Sequence, residues 1–96
     1  MASSWNHRVI KRRLRRAKGS TETIDSFGIH EVYFEDDGVI WGWTKRPMAP
    51  YGETLEELEN DVKWFVNALK EPVLDEIEML AEIKKRKKEK RGGRQQ

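Results

Sequence analysis

The chain has 96 residues, enough for one small domain, and its 19 Lys and Arg against 17 Asp and Glu leave a formal net charge of +2. It has no cysteine, which excludes disulfides, thiolate catalysis and cysteine-based zinc sites. No apolar run approaches the roughly 18 residues of a membrane span, and no apolar stretch follows the basic residues near the start as a secretory signal requires. The composition therefore implies a cytoplasmic protein without membrane association. The small net charge hides a segregation. Residues 1–18 hold seven bases and no acid, residues 84–96 hold eight bases and Glu89, and residues 19–83 hold four bases against sixteen acids. This is an acidic body with two basic arms, read here as one α+β domain over 1–83 and a basic tail over 84–96.

Met1–Ser4 has the look of a frayed start. Trp5–Lys11 supplies the aromatic and β-branched residues that favour a strand, and Arg12–Lys18 then runs into a basic, exposed loop closed by Gly19–Thr23. Ser26–Glu35 is a second strand, with Phe27, Ile29, Glu31 and Tyr33 on one face and His30, Val32 and Phe34 on the other. Asp36-Asp37-Gly38 marks a hairpin, and Val39–Thr44 returns as a third strand on which Val39, Trp41 and Trp43 alternate along one face. The prolines of Lys45–Gly52 impose an extended connector.

The next element carries the strongest local signal. Thr54 is an N-cap with Glu57 three residues on, the pattern of a capping box. Leu55, Leu58, Val62, Phe65 and Leu69, widened by Val66, recur at helical spacing, and Pro72 ends this helix near Lys70. Pro72–Asp75 fits either a short strand or a first helical turn. The spacing of Leu74, Ile77, Leu80 and Ala81 favours a second helix over 73–88. The expected architecture is a three-stranded antiparallel meander packed on the helix 54–70, followed by a C-terminal helix with a basic tail.

This order, with Gly52-Glu53-Thr54-Leu55-Glu56-Glu57-Leu58 opening the helix, resembles the N-terminal domain of HicB-type antitoxins. The resemblance covers about residues 26–70. It implies a β-β-β-α-β, partial ribonuclease-H-like shape and a role in binding a protein, which in that family is the toxin HicA. The connector Thr44–Tyr51 departs from the family, and a basic helix or tail stands where the family carries a DNA-binding domain. The segments Phe27–Tyr33 and Lys70–Asp75 are also similar to those of small bacterial and phage proteins that carry no known activity.

Chemistry-bearing residues are few. His30 and Glu31 are adjacent on a strand and so point to opposite faces. His30 reads as a half-buried, hydrogen-bonded core histidine, and no spacing motif joins it to His7 as a metal pair. Glu35, Asp36 and Asp37 are explained by turn chemistry, and their pattern is too short for a calcium loop. There is no phosphate-binding glycine loop, nucleophile elbow or cysteine nucleophile. The sequence thus predicts a protein that is not an enzyme and takes no cofactor or metal.

Two binding roles remain. Trp41 and Trp43 share a face that packs on the helix as core if it is inward. If it is outward, a protein partner would be met by Trp41, Trp43, Arg46, Met48 and Tyr51, where aromatic side chains adjoin the connector. Nucleic acid would be met by Arg8, Arg12, Arg13, Arg15 and Arg16 at one end of the chain and by Lys84, Lys85, Arg86, Lys87, Lys88, Arg91 and Arg94 at the other. Guanidiniums suit bidentate phosphate contacts. The same opposed charges are also compatible with a homodimer.

Overall fold

In a computed structural model, which describes residues 4–94 and their side chains through Lys88, β1 (Ser4–Arg15) and β2 (Thr23–Phe34) form a long antiparallel hairpin. The basic stretch after Lys11 stays in the strand as far as Arg15, so the exposed loop is shorter than expected. Cross-strand pairing with Thr23–Ser26 supplies its backbone partners. The turn closes through Ser20 N–H to Ala17 O at 3.0 Å, with Gly19 at φ 81°. At the second hairpin Gly38 N–H donates to Glu35 O and Glu35 N–H to Val39 O, both at 2.8 Å. Gly38 alone takes the positive φ, 85°, that this loop requires. β3 (Ile40–Trp43) then pairs with β2.

After the connector comes α1 (Leu55–Ala68), and its first turn forms as the sequence indicates. Glu57 N–H donates to Thr54 Oγ1 at 3.1 Å, and Glu57 Oε1 accepts from Glu53 N–H at 2.9 Å. Gly52 lies directly on this turn. A β-carbon there would collide with Leu58 N and would come within 2.7 Å of Glu57 C. The helix unwinds at Leu69–Glu71 through hydrogen bonds back to Val66, Asn67 and Ala68, ahead of Pro72.

Two expectations are corrected beyond this point. Among the described residues the sheet has four strands in the order β3-β2-β1-β4, because Leu74–Asp75 forms β4 (Leu74–Asp75), parallel to β1 at Ile10 and Lys11. The sheet is therefore mixed, not a three-stranded antiparallel meander. The connector and α1 supply the long crossover that a parallel pairing demands. The C-terminal helix α2 (Glu76–Arg94) starts later than expected and runs further.

The second correction concerns the layers. α1 and α2 cover opposite faces of the sheet, and both lie over β1. Ile10, Val32 and Met79 form the buried cluster under α2, with Phe34, Ile40, Trp43 and Leu74 packed around it. His7, on the other face, packs its ring 4.5 Å from that of Phe65 of α1. This is why the neighbouring residues Val9 and Ile10 are both buried although they point in opposite directions. The α1 face turned inward is that of Phe65 and Ala68, while Leu55 (72% exposed), Val62, Val66 and Leu69 of the expected stripe face solvent.

Candidate functional site

The α2 face of the sheet uses its polar residues to hold the fold. His30 is fully buried, and its Nδ1 lies 2.9 Å from Thr44 O. Pro47 closes over it: a β-carbon at Gly28 would lie 3.0 Å from Pro47 Cγ and 3.4 Å from His30 Nε2. The connector is tied to β2 by Met48 N–H to Ile29 O at 2.7 Å and to α1 by Tyr51 N–H to Asp61 Oδ2 at 2.8 Å. Arg12 donates to Glu76 Oε1 and to Lys45 O, each at 3.2 Å, and Arg8 donates to Pro72 O at 2.7 Å. Trp43 Nε1–H donates to the other oxygen of Glu76 at 3.1 Å. Three of the expected contact residues, Arg8, Arg12 and Trp43, are thus engaged inside the domain. Nε2 of His30 and Nε of Arg8, cross-strand neighbours, are buried without a hydrogen-bond partner among the described residues.

Trp41 and Trp43 do not share a face. Phe34 pairs with Ile40 and Tyr33 with Gly42, so Trp41 is an extra residue, a β-bulge that resets the alternation. Trp43 enters the core, whereas Trp41 stacks on Tyr33 with ring centroids 5.3 Å apart. Tyr33 also donates to Glu31 Oε1 at 3.0 Å, and this hydrogen bond, with burial and the adjacent charge, raises the phenol above its ordinary pKa of 10.0. Phe27 (61% exposed) and Trp41 (49%) lie on this side, beyond the cover of α1. Arg46, Met48 and Tyr51 are exposed along the connector. Tyr33 and Trp41, with Phe27 about 20 Å further along β2 and Glu31 between, are the aromatic residues uncovered on this face. Phe27 and Tyr33 belong to this face although sequence reasoning did not select them. Their shared strand parity was the available signal.

The exposed surface is also large. It measures 7970 Å², against about 5,800 Å² for a compact monomer of this mass. Uncovered apolar side chains on α1, α2 and the sheet, such as Leu55, Ile77 and Phe27, contribute to the excess.

The two basic regions lie at opposite ends of the sheet. Arg13 pairs with Asp25 at 3.7 Å, and Arg15 and Arg16 sit exposed by the first hairpin turn. Arg86 instead reaches Ile40 O at 3.5 Å, at the end where Ser4 pairs with Phe34. Nine residue steps along β1 take Ser4 to Arg13, a span of about 30 Å at the usual rise per residue. Lys84, Lys85, Lys87 and Lys88 are exposed on α2. Arg91 and Arg94 belong to the same helix, but their side chains fall outside the described residues, as do Met1–Ser3 and residues 95–96.

Asp75 joins β4 to α2. Its Oδ1 accepts the N–H groups of Ile77 at 2.9 Å and Glu78 at 3.3 Å, and its Oδ2 lies 3.5 Å from Lys11 Nζ. Burial alone would raise this carboxyl, but the amides of Glu78 and Ile77 together with Lys11 outweigh it and hold the pKa below the ordinary 3.8. A group depressed in the fold adds stability that is complete above its unfolded value and is lost as pH falls through the folded one. Thermal melts should therefore show Asp75→Asn losing less stability than the wild type when the pH drops from neutral to below 3.8. Equal losses would show that the Asp75 cap is not formed.

Among the described residues no group of three or more His, Cys, Asp or Glu side chains converges to hold a metal ion. No helix among them is long and apolar enough to cross a membrane. No family model, curated protein or solved structure matches the chain.

Proposed function

We propose that this chain is a non-catalytic, cytoplasmic protein-binding module, an antitoxin-like or phage-type inhibitor. It would engage its partner through the aromatic face of β2 and β3 and the connector Lys45–Tyr51. The exposed Trp41 stacked on Tyr33, with Phe27 exposed further along the same face of β2, carries this reading, since exposed aromatics mark interaction surfaces and dominate their energetics. The β-β-β-α-β order and the glycine-led capping box at 52–58 lend support, because the resemblance to HicB-type antitoxins implies both. Fold likeness alone does not carry function, so the exposed face is the stronger argument.

A second reading, nucleic-acid binding, is favoured by the exposed lysines of α2. It is weakened by the engagement of Arg8 and Arg12 in the fold and by the separation of the two basic regions. Purification from host lysate at low salt, with and without nuclease, tests the choice. The expected result is a protein partner that survives nuclease and whose affinity falls about tenfold or more on Trp41→Ala, as for an interface hot spot. Recovery of nucleic acid alone, released by salt, would overturn the proposal and establish the second reading.

A further inference from the structure

A cleft of about 730 Å³ opens between the first half of β1 and α1, on the sheet face that also carries Tyr33, the cross-strand partner of Trp5. Its strand wall is Trp5 and His7, which point to the same side of β1 and meet edge to face with ring centroids 5.3 Å apart. Its other wall is Asp61, Trp64 and Asn67, which recur along one side of α1, and Glu71 in the turn that follows the helix. The indoles of Trp5 (54% exposed) and Trp64 (61% exposed) are presented to solvent. Among the described residues no Lys or Arg lines the cleft.

Two aromatic π-faces beside two carboxylates and a side-chain amide make a receptor for a cation with a flat, hydrogen-bonding head. A guanidinium meets each requirement. It stacks on an indole, its fork of N–H donors matches a carboxylate, and it sheds water more readily than an ammonium. The same carboxylates repel phosphate, so base stacking on these indoles is disfavoured. We infer that this cleft binds an arginine side chain presented by a protein partner. The inference rests on the partner-binding reading and adds the chemistry by which that partner is recognised.

The probe is N-acetyl-arginine amide, titrated into the full chain while the four indole N–H signals are followed by nuclear magnetic resonance. One side chain in an open cleft should bind with a Kd in the millimolar range, about 1–10 mM. The Trp5 and Trp64 signals should move, and that of Trp43, which lies on the opposite face of the sheet against Val32 and Met79, should stay in place. The neutral isostere N-acetyl-citrulline amide should produce no comparable shift. Asp61→Asn preserves an acceptor for Tyr51 N–H and should weaken binding about tenfold through the lost charge. Equal movement of all four indoles, equal binding of citrulline, or an unaltered Kd in Asp61→Asn would each overturn the inference. A captured protein partner that binds Asp61→Asn as tightly as the wild type would leave the partner-binding reading standing and sink this one. Selective arginine binding without any captured protein would do the reverse.

Discussion

Ile10→Ala is expected to lower the urea midpoint by about 3 M, the largest effect of any single truncation in the sheet. Ile10 is fully buried between β2 and β4 and beneath Met79. Deleting most of such a side chain removes transfer free energy and leaves a cavity, together costing about 3 kcal/mol. A chain of this size unfolds in urea with a slope of about 1 kcal/mol/M, which converts that cost into the stated shift. Little else can compensate, because the buried apolar residues among those described are Val9, Ile10, Val32, Phe65, Ala68 and Met79. Leu14, on the same strand and face but near the hairpin turn, is the control. It is already exposed, and Leu14→Ala should shift the midpoint by less than about 0.5 M, as surface substitutions do. Similar shifts for the two would show that the centre of β1 is not the core.

The parts of this fold visible in the sequence are those determined within a few residues. The capping box of Thr54 and Glu57, the Gly38 turn and the alternation of β2 each depend on neighbours in the chain, and each forms where its pattern lies. β4 shows the opposite case. Two residues cannot display an alternation, so Leu74 and Asp75 are read equally well as a helical turn, and only the unpaired edge of β1 makes them a strand. Trp41 and Trp43 mislead for a related reason. Strand parity places them together, and a bulge opposite Tyr33, which leaves no mark in the residues themselves, separates them.

The apolar stripe of α1 was visible, but which part of it faces inward was not. A helix lying over a single strand buries only a narrow band, here Phe65 and Ala68, and leaves Leu55, Val62, Val66 and Leu69 uncovered. Candidate binding residues divided in the same way. His30 had a legible structural role because a lone strand histidine lacks convergent partners. Arg8 and Arg12 read as free cations, since their acceptors Pro72 O, Lys45 O and Glu76 lie 33 to 64 residues away in the chain.

Glu76 shows what such distant partners contribute, and its removal is the second large effect expected. One carboxylate accepts from Arg12 of β1 through Oε1 and from the Trp43 indole of β3 through Oε2, at the first residue of α2. It therefore fastens α2 to both sides of the sheet. The side chains of Arg12 and Glu76 retain 26% and 21% of their exposure, so the pair is screened less than a surface ion pair and more than a fully buried one. Glu76→Ala leaves a half-buried guanidinium and an indole N–H without this partner, at a cost of about 2 kcal/mol. For a domain of this length that lowers the melting temperature by about 10 °C. Glu76→Gln keeps an oxygen for one donor but loses the charge, and should fall between the two. A double-mutant cycle with Arg12→Ala separates the contributions. The coupling between residues 12 and 76 should be smaller than the whole cost of Glu76→Ala, because the remainder belongs to Trp43. If the coupling instead accounts for the entire loss, Trp43 does not depend on Glu76, and its place in the core rests on packing against Ile10, Val32 and Met79 alone.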